Sequence, residues 1–154
     1  MSSKREENWF GLLSFGFFIM VFALFFIIVP NYGQEVVDFF GDFELQETAP
    51  LIFLPAPQQH HPVVYETIAK FCLIFGLFQI VIVVLRFALK SSLSRIAETI
   101  SNIFLWLGAA YMFNLLFLEV VEWFPFIGGI IAVAGFSLIA RSSATLLFSW
   151  IRRY

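Results

Sequence analysis

Apolar positions along the chain gather into four long runs, about Trp9–Val29, Val63–Leu89, Thr99–Val121 and Phe124–Trp150. An α-helix rises 1.5 Å per residue, so about 20 apolar residues cross a hydrocarbon core of ~30 Å. Each run is long enough. The first carries no charge, has Trp9 at its start and Tyr32 just beyond its end, and is stopped by Pro30 and Gly33. Aromatic residues at both ends are the usual interfacial anchors of a span. The second holds Lys70 near its start and Arg86 near its end. Helical side chains lean toward the N-terminus, so Lys70 is expected to reach back to Glu66 in the favourable Glu-before-Lys order. The third run contains Asn114 and ends near Glu119, while Trp123 and Trp150 bracket the fourth. The pattern predicts an all-α integral membrane protein: one domain over 1–154, a four-helix transmembrane bundle with a short interfacial amphipathic helix in its first outer loop, 31–62.

That loop divides in two. Over Gln34–Leu45, Glu35, Asp38 and Asp42 recur at helical spacing, with Val36, Val37, Phe39, Phe40 and Phe43 filling the remaining positions. This predicts an amphipathic helix lying in the membrane interface. Three prolines between Pro50 and Pro57 forbid a regular helix, so that stretch is expected to be extended, apolar and covered by something. The second connection, Lys90–Glu98, is polar, and Ser94 or Thr99 is expected to cap the third helix. The third, around Glu122–Pro125, is tight enough to make the last two spans an antiparallel hairpin.

Composition agrees with this pattern. The 154 residues are 60% hydrophobic and 13% charged, with 22 Phe, against about 45–50% and about 25% in soluble domains. A net charge of −2 gives no reason to expect nucleic acid. The charges are sorted, however. Lys4, Arg5, Arg86, Lys90, Arg95, Arg152 and Arg153 fall on one side of a four-span chain. Glu35, Asp38, Asp42, Glu44, Glu47, Glu66, Glu119 and Glu122 fall on the other. Lys and Arg in short loops mark the cytoplasmic side, so both termini are expected there, with 31–62 outside. The first run exceeds the ~7–15 residues of a signal-peptide core, and no small-residue cleavage site follows it, so it is read as a retained anchor.

Few residues offer chemistry. Arg141 follows a seventeen-residue apolar run, about 25 Å into the fourth span. A charge at that depth is expected to face the protein and find a partner, for which Glu98 is the candidate. Asn114 and Gln79 are candidate buried amides linking helices. Gly128, Ala132 and Gly135 share one face of the fourth span, with Gly108 and Ala109 on the third as candidates for the opposing surface. Small residues there allow close helix packing, within the chain or between copies. His60 and His61 form the lone histidine pair, too few ligands for zinc or copper without help. Cys72, in an apolar run, is expected to be a small buried hydrophobe. No phosphate loop, dinucleotide fingerprint or zinc-protease helix occurs, and no cofactor is expected. Four spans with a large first outer loop resemble claudins and tetraspanins in topology, but the outer-loop cysteines of those families are absent here, so no function carries over.

The expected role is a non-catalytic accessory, scaffolding or oligomerising membrane subunit. Its partners would be the bilayer, other membrane subunits or further copies of itself. A small oligomeric transporter or channel using Arg141 is the alternative. An enzyme acting at the headgroup level through Arg86, Lys90, Arg95 and Arg141 is a third reading, with Glu98 the only nearby acid or base.

Overall fold

The computed structural model describes residues 2–151, with side chains from Trp9 to Leu147 apart from Ala49. Lys4, Arg5, Trp150, Arg152 and Arg153, used above for orientation and as interfacial markers, lie outside the described side chains. The elements run α1 (Ser2–Ile28), α2 (Tyr32–Gly41), β1 (Phe43–Ala49), β2 (Ile52–Pro57), α3 (Pro62–Ala88), α4 (Leu93–Phe117) and α5 (Trp123–Ile151). Among the described residues, four helices are long and apolar enough to cross a membrane: Trp9–Ile28 within α1, then α3, α4 and Trp123–Leu147 within α5. The chain therefore reads as a multi-pass membrane protein.

The all-α expectation is corrected by the hairpin β1–β2. Its strands are antiparallel, with Phe43 opposite Pro57 and Ala49 opposite Ile52. Proline cannot donate to a ladder, but both strands of a two-stranded sheet are edges, so Pro55 and Pro57 can face their missing N–H away from the partner. Where an amphipathic helix is predicted over Gln34–Leu45, a helix spans Tyr32–Gly41, and Phe43 to Leu45 belong to β1. The proline-rich stretch is extended as expected, and its backbone partner is β1.

The third span is shifted from its predicted limits of 99–121. It begins six residues earlier and ends four earlier, at Phe117. Its N-cap residue is Ser92 rather than Ser94 or Thr99, and the Thr99 hydroxyl donates within the helix to the Arg95 carbonyl at 2.9 Å. At its end, the Val120 N–H bonds the Leu115 carbonyl and the Glu119 N–H bonds that of Leu116, with Glu119 at φ 56°. This is a Schellman closure, in which the left-handed residue lets the last turn satisfy its own carbonyls. α3 ends in the same way through Ser91, Lys90 and Arg86, with Lys90 at φ 51°.

Among the long helices, α3 packs on α4 and α4 on α5, while α1 lies against α3. The seams are tight. A Cβ added to Gly76 would meet Leu107 on α4 at 2.7 Å, and one added to Gly108 would meet Val133 on α5 at 2.5 Å. The Ser101 hydroxyl donates to the Ser137 carbonyl at 2.7 Å, tying α4 to α5 in a buried position. α1 is joined mainly by rings. Phe17 stacks on Phe78 with centroids 3.8 Å apart, and Phe18 meets Phe71, Phe75 and Trp106. Where α2, α3, α4 and α5 converge beneath the hairpin, Phe39, Val64, Tyr65, Leu116 and Phe126 form a buried cluster.

Candidate functional site

Three regions compete for a role, the first two built by helical spacing. The first is the outward face of α5. Phe126, Gly129, Val133 and Ser137 follow one another at three or four residues and turn toward α4. Ser137 bonds with Ser101, and a Cβ added at Gly129 would run into the end of the Met112 side chain. Gly128 and Gly135 fall on the far side, while Ala132 sits at the flank, lining a groove with Phe104, Leu107 and Gly108 of α4; all three are exposed. Added Cβ atoms at Gly128 and Gly135 would meet nothing within 4 Å. Of the predicted packing residues, Gly108 sits in an internal seam, against Val133. The glycine of α5 that makes the internal contact is Gly129, which sequence reasoning passed over because it is adjacent to Gly128 and outside the spacing of the stripe.

Arg141 is also exposed on α5. Its predicted pairing with Glu98 is not formed. Glu98 instead accepts from Arg95 at 3.2 Å on the same helix, three residues away. Because α4 already begins at Leu93, Arg95 is helical and close by, and Glu98 needs no partner on α5. The predicted pair Lys70–Glu66 is present at 2.7 Å.

The second region is a cavity of about 450 Å³ among α1, α3 and α4, at the end of the spans remote from the hairpin. On α3 it is lined by Phe75, Gln79, Ile82 and Arg86, which recur at helical spacing; α4 adds Arg95, Glu98, Thr99, Asn102 and Trp106. α1 offers small residues, Gly11 and Ser14, between Phe10, Phe15 and Phe18. Gln79 is 4% exposed, as its reading as a buried amide requires. Arg86, in the last turn of α3, is also buried, and its guanidinium lies 5.2 Å from the ring centroid of Phe10. Asn114, by contrast, is exposed. It lines a separate lateral groove between α3 and α4 with Lys70, Leu73, Tyr111 and Phe117.

The third region is the hairpin end. Asp42 closes α2, and one of its carboxylate oxygens accepts from the Gln59 N–H at 2.7 Å and lies 2.9 Å from His61 Nε2. The hydrogen bond to His61, followed by that from Gln59, holds the Asp42 carboxyl below the usual carboxylate range. The Trp123 indole N–H donates to the Pro55 carbonyl at 3.1 Å, fastening β2 to the start of α5. His60 Nε2 lies 3.6 Å from Glu119. His60 and His61 thus face different carboxylates, and among the described residues no group of three or more His, Cys, Asp or Glu side chains could hold a metal ion. Cys72 is buried in α3.

The turn of the hairpin carries an unusual residue. Leu51 has φ 69° and is 91% exposed. A leucine in the left-handed region is costly, and glycine or asparagine is the ordinary choice there. Ile52 and Phe53, next to it, are also exposed. Comparison with known proteins adds nothing to this geometry: no family model, curated protein or solved structure matches the chain.

Proposed function

We propose that this chain is a non-catalytic membrane subunit that works by assembly, joining other membrane helices through α5. The observation that carries the reading is the exposed row Gly128, Ala132 and Gly135, which lies outside the buried seam of α5 with α4 and has open space at both glycines. Small residues allow a second helix to approach until backbones touch, and in lipid such packing takes the place of the hydrophobic effect as a driving force. The chain would span the bilayer as a four-helix bundle, both termini cytoplasmic and 31–62 outside. α2 would lie in the outer interface, with Val37 and Phe40, both exposed, in the acyl region. The apolar tip at Leu51 supports the same reading, since a strained, exposed leucine contributes nothing to the hairpin itself and suits a contact with membrane or partner. The test is the size of the protein in mild detergent by light scattering. Gly128→Leu and Ala132→Leu should each reduce the assembly to a smaller species. Unchanged size in both variants would sink the proposal.

Arg141 favours a second reading. Its charge lies on an exposed face of a helix otherwise apolar from Phe124 to Ala140, and no ion pair to its side chain is formed among the described residues. A water path using Arg141 would therefore run between subunits, making the protein an oligomeric transporter or channel. Arg141→Ala would then abolish flux in reconstituted vesicles while leaving assembly intact. Retained flux, or the absence of any flux in the wild type, would remove this reading.

A further inference from the structure

We propose that the cavity among α1, α3 and α4 is a binding site for one phospholipid, with its phosphate held between Arg86 and Arg95 and an acyl chain along Phe15, Phe18, Phe75 and Trp106. The cavity is a built space. Gly11 and Ser14 withhold side-chain volume where α1 faces α3, and an added Cβ at Gly11 would meet nothing within 4 Å. Its polar groups lie at one end. Arg86 is in the last turn of α3, and Arg95 and Glu98 are in the opening turns of α4. Two guanidinium groups and the Glu98 carboxylate, which pairs with Arg95, thus gather at the end where a phosphodiester would lie. Guanidinium is suited to this ligand, because its planar fork of donors matches phosphate oxygens two at a time.

A second, independent observation is Gln79. Its side chain is almost wholly buried, lines the cavity, and forms no hydrogen bond with any described residue. Gln79 lies about two turns of α3 deeper than Arg86, at the depth where the glycerol esters of a lipid follow its phosphate, and those carbonyls would accept from its NH₂. Deeper still, the lining becomes aromatic, with Phe18, Phe75 and Trp106. Charge, amide and aromatic rings thus follow one another in the order phosphate, ester and acyl chain.

A lipid and a free phosphate share the anionic chemistry, and native mass spectrometry separates them. The full-length protein is taken into mild detergent from vesicles of equal parts phosphatidylcholine and phosphatidylglycerol. One phospholipid should survive collisional stripping that removes all others. Ser14→Phe, which fills the cavity and keeps every charge, should lower its occupancy roughly tenfold, the equivalent of about 1.4 kcal/mol, with the thermal melt of helical circular dichroism unchanged. Arg86→Gln should do the same. Because the loss of a buried charge can also disturb folding, the Ser14 variant decides the matter. Full retention of the lipid in Ser14→Phe would overturn the proposal. So would its displacement by inorganic phosphate, which would reduce the cavity to an anion site without a tail.

Discussion

Lys90, Glu119 and Leu51 all adopt left-handed backbone angles without being glycine. The first two terminate α3 and α4 in Schellman closures, where the left-handed position is most often glycine. An L-residue there carries roughly 1 kcal/mol of backbone strain. Lys90→Gly should therefore stabilise the protein by about 1 kcal/mol, read as a higher midpoint in a denaturant titration followed by circular dichroism. An unchanged or lower midpoint would mean that the lysine side chain offsets the strain. These choices also explain what was hard to read. With no glycine or proline between Leu115 and Val121, the apolar run gives no stop signal, and the third span is predicted four residues too long. Glu66 and Lys70 were legible because their pairing depends only on spacing along one helix. The proposed Arg141–Glu98 pair depended on where two helices sit, and on a helix start that the serines around Lys90–Glu98 left ambiguous.

The hairpin is held by few groups, and one of them titrates. Because the Asp42 carboxyl is held below its ordinary pKa, the folded protein binds that proton less well than the unfolded chain does. The tie to Gln59 and His61 is then fully present above the ordinary carboxylate pKa and is lost as pH falls through the lowered value. Amide protection factors in β1 and β2 should fall in that acid window while those of α3 hold, and Asp42→Asn should show the weaker protection already at neutral pH. Equal protection in the variant would mean that the Trp123–Pro55 bond and the aromatic cluster hold the hairpin alone. Among the long helices, Gly108→Leu should cost about 1–3 kcal/mol by forcing Val133 aside. Gly128→Leu should leave the stability of the isolated chain nearly unchanged. Denaturation at high dilution checks the contrast, and equal losses would show that the two faces of α5 are wrongly assigned.

Across the whole molecule, the long helices meet in the order α1, α3, α4, α5, with glycine seams on either side of α4 and aromatic rings holding α1. Phe18 reaches Phe71, Phe75 and Trp106, bridging α1 to both α3 and α4. Ring pairs of this kind contribute about 0.5–1.5 kcal/mol each. Phe18→Ala should therefore release α1 selectively, measured as weaker cross-linking between cysteines introduced at Gly11 and Ile82, with the α4–α5 pairing untouched. Unchanged cross-linking would place the hold on α1 elsewhere, with Phe17 and Phe78 the next candidates.

Number and approximate extent of the long helices were determined by the sequence alone. A run of about 20 apolar residues without charge admits almost no alternative, because every backbone polar group in lipid must be satisfied within its own helix. The tie between Glu66 and Lys70, and the burial of Gln79 and Cys72, also followed from position within a run. The hairpin did not, since Glu44 to Thr48 carry only a weak alternation and the prolines of β2 disguise a strand that needs no donor on its outer side. Nor did the two faces of α5. Adjacent glycines differ by 100° around a helix, and only the packing of Met112 onto Gly129 decided which one faces inward. The cavity too belongs to tertiary structure alone, because it exists where three helices bring small residues, two arginines and an amide together from positions up to 84 residues apart in the chain.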